Sequence, residues 1–373
     1  MIYFDNAATT LIKPEAVRRA LCTAVGKLAS PGRGGHPAAM AAAEKAYECR
    51  VAAAGLFNVP EPERVVFTMN ATHALNIAIK SIVRAGDRVV ISGYEHNSVL
   101  RPLNAVGAEI VIACSAVFDE AGTIAAFDNA LRPGTKLAVF TYVSNVFGFV
   151  LPVAKLAALC RVRGIPFVID ASQAAGVLDI DFQQLGADFI AMPGHKGLYG
   201  PQGTGILLCG RSGETLIEGG SGSDSRLPLM PEYLPDRLEA GTHNMPGISG
   251  LLEGIRFVGR TGIGKIYRHE KTLLASAVKQ LKQMDEVELY CDDDTRCQSA
   301  VLSFNLRGMD CSSVAEKLAE RGIAVRAGLH CAPLAHKTVG TESGTVRISF
   351  SAFNTEQEVG RFVHELKRVL NQS

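Results

Sequence analysis

Net charge is almost absent from this chain, with 38 Lys plus Arg against 37 Asp plus Glu. A near-neutral protein has no broad basic face, so neither nucleic acid nor an anionic membrane is expected as its main partner. Long apolar runs are also missing, and none could span a bilayer. The opening Met1-Ile2-Tyr3-Phe4-Asp5-Asn6 lacks the basic and apolar regions of a secretory signal. There are nine cysteines but no Cys-x-x-Cys pair. An odd, scattered set points to free thiols in a reducing compartment, so a cytoplasmic location is expected rather than a disulfide framework. Cys291 and Cys297 lie closest in sequence, yet no neighbouring His or Cys completes a ligand set, and no metal is expected. No repeat or low-complexity tract is visible.

What is present is apolar residue, 47% of 373, enough to bury a large core divided between two domains. Short β-rich runs recur at Arg64–Thr68, Arg88–Ser92, Glu109–Ile112, Leu137–Thr141, Phe167–Asp170, Phe189–Met192 and Gly205–Cys209. Helical patterns fall between them, including Ala38–Leu56 and Val153–Arg163, with a helix start at Pro14 and Glu15. The alternation predicts an α/β layer fold around a mostly parallel, buried, seven-stranded sheet. Gly219–Pro235 reads as a loop, and a long helix is expected from near Pro246 through Gly259, with the first domain ending inside it. Beyond lie a helix at Ile266–Met284, a strand at Val301–Asn305, a helix at Ser312–Arg321, and strands at Ala324–Ala327 and Val346–Phe350. They predict a smaller α+β domain over residues 256–373, after a large domain over 16–255.

The most informative stretch is Ala191-Met192-Pro193-Gly194-His195-Lys196-Gly197, where a lysine follows an apolar run and precedes a glycine-rich turn. Upstream, Pro166-Phe167-Val168-Ile169 ends in Asp170. In parallel sheets ligands bind beyond the carboxyl ends of the strands. A lysine and an acid there suit pyridoxal phosphate, which needs an amine to carry it and a carboxylate to keep its ring nitrogen protonated. Alone, Lys196 reads as a loop lysine and Asp170 as a cap or turn residue; together they favour the cofactor. Phe67–His73 follows a strand and opens a helix, where backbone N–H groups and the helix dipole suit a phosphate. Thr72 and His195 can add donors there. The run Gly200–Gly205 lacks the spacing and context of a dinucleotide fingerprint and reads as a tight turn.

Tyr3-Phe4-Asp5-Asn6-Ala7-Ala8-Thr9-Thr10, Glu95-His96, Ser144–Gly148, Asp170-Ala171-Ser172-Gln173, Gly194-His195-Lys196 and Arg326-Ala327-Gly328-Leu329-His330-Cys331-Ala332 together resemble the cysteine desulfurases. These belong to the class V aminotransferase group of fold type I pyridoxal-phosphate enzymes. The resemblance runs from Tyr3 to about Asn354, and the form around Cys331 is similar to the type II, SufS-like branch. It implies a cofactor carried by Lys196, with Asp170 on the ring nitrogen, Gln173 on the phenolic oxygen, Asn145 at the ring edge and His96 stacked on the ring. Without the resemblance, turn and helix-start hydrogen bonding explains Asn145 and Gln173 nearly as well. It further implies phosphate contacts from Ala71, Thr72 and His195, and from Thr242 of a second subunit, hence a homodimer. Arg347 would bind the carboxylate of L-cysteine, with Arg326 and His36, in Arg33-Gly34-Gly35-His36, nearby.

By the same resemblance, the Cys331 thiolate takes sulfur from cysteine as a persulfide, releases alanine and passes the sulfur to an acceptor protein, toward iron–sulfur clusters or thio-cofactors. Positive charge near the thiol is expected from Arg326 and His330. Residues 1–15 would form an arm joining the small domain. Two departures stand out: Asn70-Ala71-Thr72 replaces the usual Gly-Thr-Thr-like run, and Pro193 replaces a Ser or Thr, removing a phosphate donor. A selenocysteine lyase, a class V aminotransferase or β-lyase with an incidental Cys331, and a non-catalytic binding protein are the rival readings.

Overall fold

The computed structural model of the chain describes residues 1–32 and 34–371. In chain order the first elements are β1 (Ile2–Tyr3), α1 (Glu15–Lys27), α2 (Pro37–Phe57), β2 (Val65–Thr68), α3 (Ala71–Ile82), β3 (Arg88–Ser92), α4 (Asn97–Ala105), β4 (Glu109–Ala113), α5 (Glu120–Ala130) and β5 (Thr135–Thr141). Next come α6 (Val153–Val162), β6 (Phe167–Asp170), α7 (Phe182–Leu185), β7 (Phe189–Pro193), β8 (Gly205–Cys209), α8 (Met245–Thr261) and α9 (Ile263–Leu281). The chain ends with β9 (Val287–Tyr290), β10 (Val301–Leu306), α10 (Cys311–Glu320), β11 (Ile323–Ala324), β12 (Arg326–Gly328), α11 (Pro333–Val339), β13 (Thr345–Ser349) and α12 (Glu356–Leu370).

The seven-stranded sheet runs β2-β8-β7-β6-β5-β3-β4. Only β8 opposes its neighbours, so the carboxyl ends of β2, β3, β5, β6 and β7 share one edge. Helices cover both faces, and successive residues of a strand enter opposite cores. Phe167 and Ile169 pack into one, Val168 into the other. Each such side chain contributes roughly 1.5–3 kcal/mol by leaving water. This explains why the strands are apolar runs rather than alternating patterns. The fold class expected from the sequence is therefore the one found.

A separate core gathers Leu273, Leu302, Phe304, Val346, Phe362 and Leu366 around the antiparallel sheet β12-β13-β10-β9. Ile2 and Phe4 belong to this core, and Phe4 meets Phe350 and Phe362 edge-on, with ring centroids 5.0 and 5.9 Å away. The single strand expected at Ala324–Ala327 is two. β11 pairs with β1, and beyond Val325 β12 pairs with β13. α12 has no counterpart in the sequence reading, although Thr355 and Glu358 form a capping box at its start. Gly219–Pro235 holds neither helix nor strand.

Two buried ionic groups position the segments around the sheet edge. Arg50 of α2 grips Glu239 through two hydrogen bonds, 2.8 and 2.6 Å, and lies 4.2 Å over the Phe67 ring. Glu239 also accepts from Phe67 N at 2.6 Å and contacts His243, which ties the residues before Thr242 to β2. Glu270 of α9 is buried beside Tyr199, in the wall of a small cavity of about 30 Å³ that also touches Lys196, Gln173 and Ser299. Burial pushes the Glu270 carboxyl up to about 8.

Folded Glu270 keeps its proton between its ordinary range and about pH 8, where the unfolded chain has already released it. Stability is thus expected to fall as pH rises through that window, by up to a few kcal/mol. Glu270→Gln should flatten the decline when urea midpoints are compared at about pH 5 and about pH 8.5. Equal slopes for wild type and variant would remove Glu270 from the pH response.

Candidate active site

A cavity of about 200 Å³ opens at the shared strand edge. Asp170 ends β6, buried, and its Oδ1 accepts from Ser172 N at 2.9 Å. Ala191 of β7 is its register partner, so the turn after β7 brings Lys196 to the same cavity. The glycines of that turn are sterically required. A Cβ on Gly194 would lie 2.2 Å from Thr204 Oγ1, and one on Gly197 would lie 2.4 Å from Ala175 O. Lys196 has no ion pair among the described residues. Burial lowers its amine to about 8, with Arg347 and Arg326 adding to the fall and Asp170 opposing it. The result is an amine that sheds its proton close to neutrality, as a Schiff-base lysine must.

His96 caps α4, its Nδ1 accepting from Ser98 N at 3.0 Å. Burial holds it down to about 4, further lowered by Lys196 against the pull of Asp170. The ring is neutral, and with Nδ1 accepting, its proton sits on Nε2. Ser98 Oγ lies 2.8 Å from both His96 Nδ1 and Thr72 Oγ1, linking α4 to the first turn of α3. Asn70 caps α3 through His73 N at 2.9 Å. The first-turn amides at Ala71 and Thr72 have no intrahelical acceptor.

His195 is neutral as well, lowered to about 4 mainly by burial and then by Lys196 and Lys13. Its buried Nδ1 has no partner. His195 with its partnerless imidazole nitrogen, the first-turn residues Ala71 and Thr72, and Pro193 all line the cavity. The donors among them fit a phosphate group, and Lys196 with Asp170 fits the ring of pyridoxal phosphate.

At the other side, Arg347 of β13 is almost fully buried. It donates to Asn145 O at 2.7 Å and pairs with Asp5 Oδ1 at 2.8 Å, while its Nε has no partner. Asn145 donates through Nδ2 to His330 O at 2.8 Å, and Gln173 through Nε2 to Ala7 O at 2.9 Å. Arg326 NH2 lies 3.9 Å from Cys331 Sγ. Cys331 is exposed at the cavity mouth, and both it and His330 hold left-handed backbone, with φ +58° and +50°. His330 does not supply the expected positive charge. It is buried, bonded to Thr345, and kept neutral by burial and by Arg347. Of the two residues expected to bring charge, Arg326 is the one beside the thiol.

The cavity therefore gathers Lys196, Asp170, His96, Asn145, Gln173, Ala71, Thr72, His195, Arg347, Arg326 and Cys331. It does not gather His36 or Thr242. His36 is the exposed N-cap residue of α2, and Arg33 of its motif lies outside the described residues. Thr242 is exposed and lines a different cavity of about 160 Å³ with Phe67 and Met69. Three contributors lack a role in the sequence reading. Ser98 was readable from its place after the His96 cap, and Ser172 from the Asp170-Ala171-Ser172 turn. Asp5 carried no such signal, because its partner Arg347 is remote in sequence.

The aminotransferase class-V family model matches residues 2–362. A probable cysteine desulfurase of Methanothermobacter thermautotrophicus is 34% identical, the match covering 96% of this chain and 92% of that protein. Another, from Pyrococcus abyssi, is 32% identical over 99% of this chain and 94% of its own length. Among solved structures, the apo cysteine desulfurase of Thermococcus onnurineus NA1 has a TM-score of 0.91 at 31% identity, covering all of this chain and 95% of that one.

Removing the Asp5 charge leaves the Arg347 guanidinium buried without its counter-ion. Asp5→Ala should cost about 3–5 kcal/mol of unfolding free energy. A loss below about 1 kcal/mol in urea titration would show that the pair is not a structural tie.

Proposed function

This chain belongs to the aminotransferase class-V family, and on that premise we propose that it is a pyridoxal-phosphate-dependent cysteine desulfurase of the type II branch. L-cysteine and the Cys331 thiol become L-alanine and a Cys331 persulfide, and the sulfur then passes to an acceptor protein. The observation that carries this reading is an exposed Cys331 beside Arg326, at the mouth of the cavity that holds Lys196 and Asp170. When bound, the cofactor supplies an electron sink for the amino acid joined to it.

The residues divide the remaining work. Lys196 would hold the cofactor and, once displaced by substrate, move a proton at the amino-acid Cα, a task suited to an amine near neutral pKa. Asp170 would keep the ring nitrogen protonated, and Gln173 and Asn145 would border the ring. Neutral His96 presents an Nε2–H proton donor. Ala71, Thr72 and His195 would bind the phosphate. Arg347 still has three N–H donors after serving Asn145 and Asp5, enough for a two-point grip on a carboxylate. The Cys331 thiolate attacks the substrate sulfur; an S–S bond forms, the C–S bond breaks, and the carbon takes up a proton. Arg326 lies beside the Cys331 sulfur, 3.9 Å from it.

The same proposal includes a homodimer and a cytoplasmic location. Thr242 and His36 are exposed and line no part of the Lys196 cavity, which supports their serving a second copy's site. No helix among the described residues is long and apolar enough to cross a membrane, and the nine cysteines are unpaired. It also includes the division into an arm over 1–15, a cofactor domain over 16–255 and a small domain over 256–373, supported by the separate core that Ile2 and Phe4 join.

Cys331→Ala should retain the cofactor's visible absorbance and lose alanine release from L-cysteine by about 1000-fold or more. Full alanine release without Cys331 would instead favour a β-lyase or aminotransferase. Thr242→Ala should weaken cofactor retention by roughly 1.5–3 kcal/mol, the worth of one hydrogen bond to a charged group. Unchanged retention, or a fully active monomer in sedimentation, would defeat the shared site.

A further inference from the structure

A second cavity of about 320 Å³ adjoins the first and shares Cys331 and His96 with it. Asn97, Arg101 and Pro102 of α4 line it together with Asn76 of α3. Arg101 is exposed and makes no ion pair among the described residues. No Asp or Glu lines the space. Arg101 and Cys331 thus line one space that no carboxylate enters, and Arg326 NH2 lies 3.9 Å from the same thiol. The loop is fixed to α4, because Asn97 N donates to Cys331 O at 2.8 Å. The charge of Arg101 also bears on His96, lowering its pKa along with burial.

We propose that this groove is a subsite for the sulfur acceptor, and that it selects a thiol carrying a carboxylate, held by Arg101. The proposal rests on the desulfurase reading. Its volume matches a small ligand or a single side chain of a larger one, and a guanidinium without an acidic partner is the group that recognises a carboxylate. The acceptor thiolate attacks the outer sulfur of the Cys331 persulfide. A new S–S bond forms to the acceptor, the Cys331 S–S bond breaks, and Cys331 departs as thiolate. Thiolate plus persulfide gives persulfide plus thiolate, so no oxidant or reductant is consumed.

The test first loads the enzyme with L-cysteine and quantifies the persulfide on Cys331 by mass spectrometry. Absence of persulfide would sink the proposed function itself, and this inference with it. Loaded enzyme then meets 3-mercaptopropionate, 2-mercaptoethanol or cysteamine, and transfer is expressed per loaded persulfide and per thiolate. Wild type should favour 3-mercaptopropionate. Arg101→Ala should slow that thiol alone, by about tenfold, and Arg101→Glu should turn the preference toward cysteamine. An equal slowing of all three thiols would mean that Arg101 acts on Cys331 and not on the acceptor. No change in either variant would empty the groove of this role. Two short peptides, with Cys flanked by Glu or by Lys, separate the sources: faster transfer to the Glu peptide than to 3-mercaptopropionate identifies a protein segment, and the reverse identifies a free thiol. A Lys peptide as good as the Glu peptide would overturn the charge preference.

Discussion

The Arg347 guanidinium is the contact on which the rest of the site depends. It is a permanent charge in a nearly dry place, and such a charge persists only where partners meet it from several directions. Here they come from the N-terminal segment through Asp5 and from the loop after β5 through Asn145 O. Arg347 itself stands on β13 of the second sheet. One side chain therefore joins the chain's beginning, the large sheet and the small sheet at the rim of one cavity. Asn145 extends the tie to His330 O, and so to the loop that presents Cys331.

Much of this was readable in the sequence where short-range rules apply. Apolar runs ending in Asp170 and preceding Lys196 announce strand ends, and in a parallel sheet strand ends share an edge, so the two residues were bound to meet. The start of α3 at Asn70-Ala71-Thr72 was legible from its cap chemistry. The Asp5–Arg347 pair was not, because nothing local in either segment reports a partner at the far end of the chain. The break between β11 and β12 also escaped, since nothing local in Ala324-Val325-Arg326-Ala327 tells that its halves pair with different strands. α12 is a different case: Thr355 and Glu358 spelled out its start, and the amphipathic run behind it was there to be read.

Charge at the thiol shows how burial overrides composition. From sequence, His330 and Arg326 look like equal sources of positive charge beside Cys331. Folding buries His330 against Thr345 and keeps it uncharged, while Arg326 stays partly open with its guanidinium 3.9 Å from the thiol. The same sorting leaves His96 and His195 neutral and the Lys196 amine weakly basic. The cavity thus holds uncharged imidazoles able to donate or accept a hydrogen bond, together with the buried Arg347 and the half-buried Arg326.

The loop bearing Cys331 is short and held at both ends. His330 is fastened to Thr345 and Asn145, Cys331 O to the start of α4, and α11 begins immediately afterward at Pro333. Two consecutive residues in left-handed backbone stiffen it further, since neighbouring conformations are not smoothly accessible from there. Such a thiol is a fixed mooring and not a swinging arm. In the proposed transfer, cargo placed on it would travel no farther than a side-chain rotation, so every delivery would depend on the recipient coming alongside. Traffic would then be set by encounters as much as by chemistry, and recipient abundance would become a throttle on how long sulfur waits at the berth.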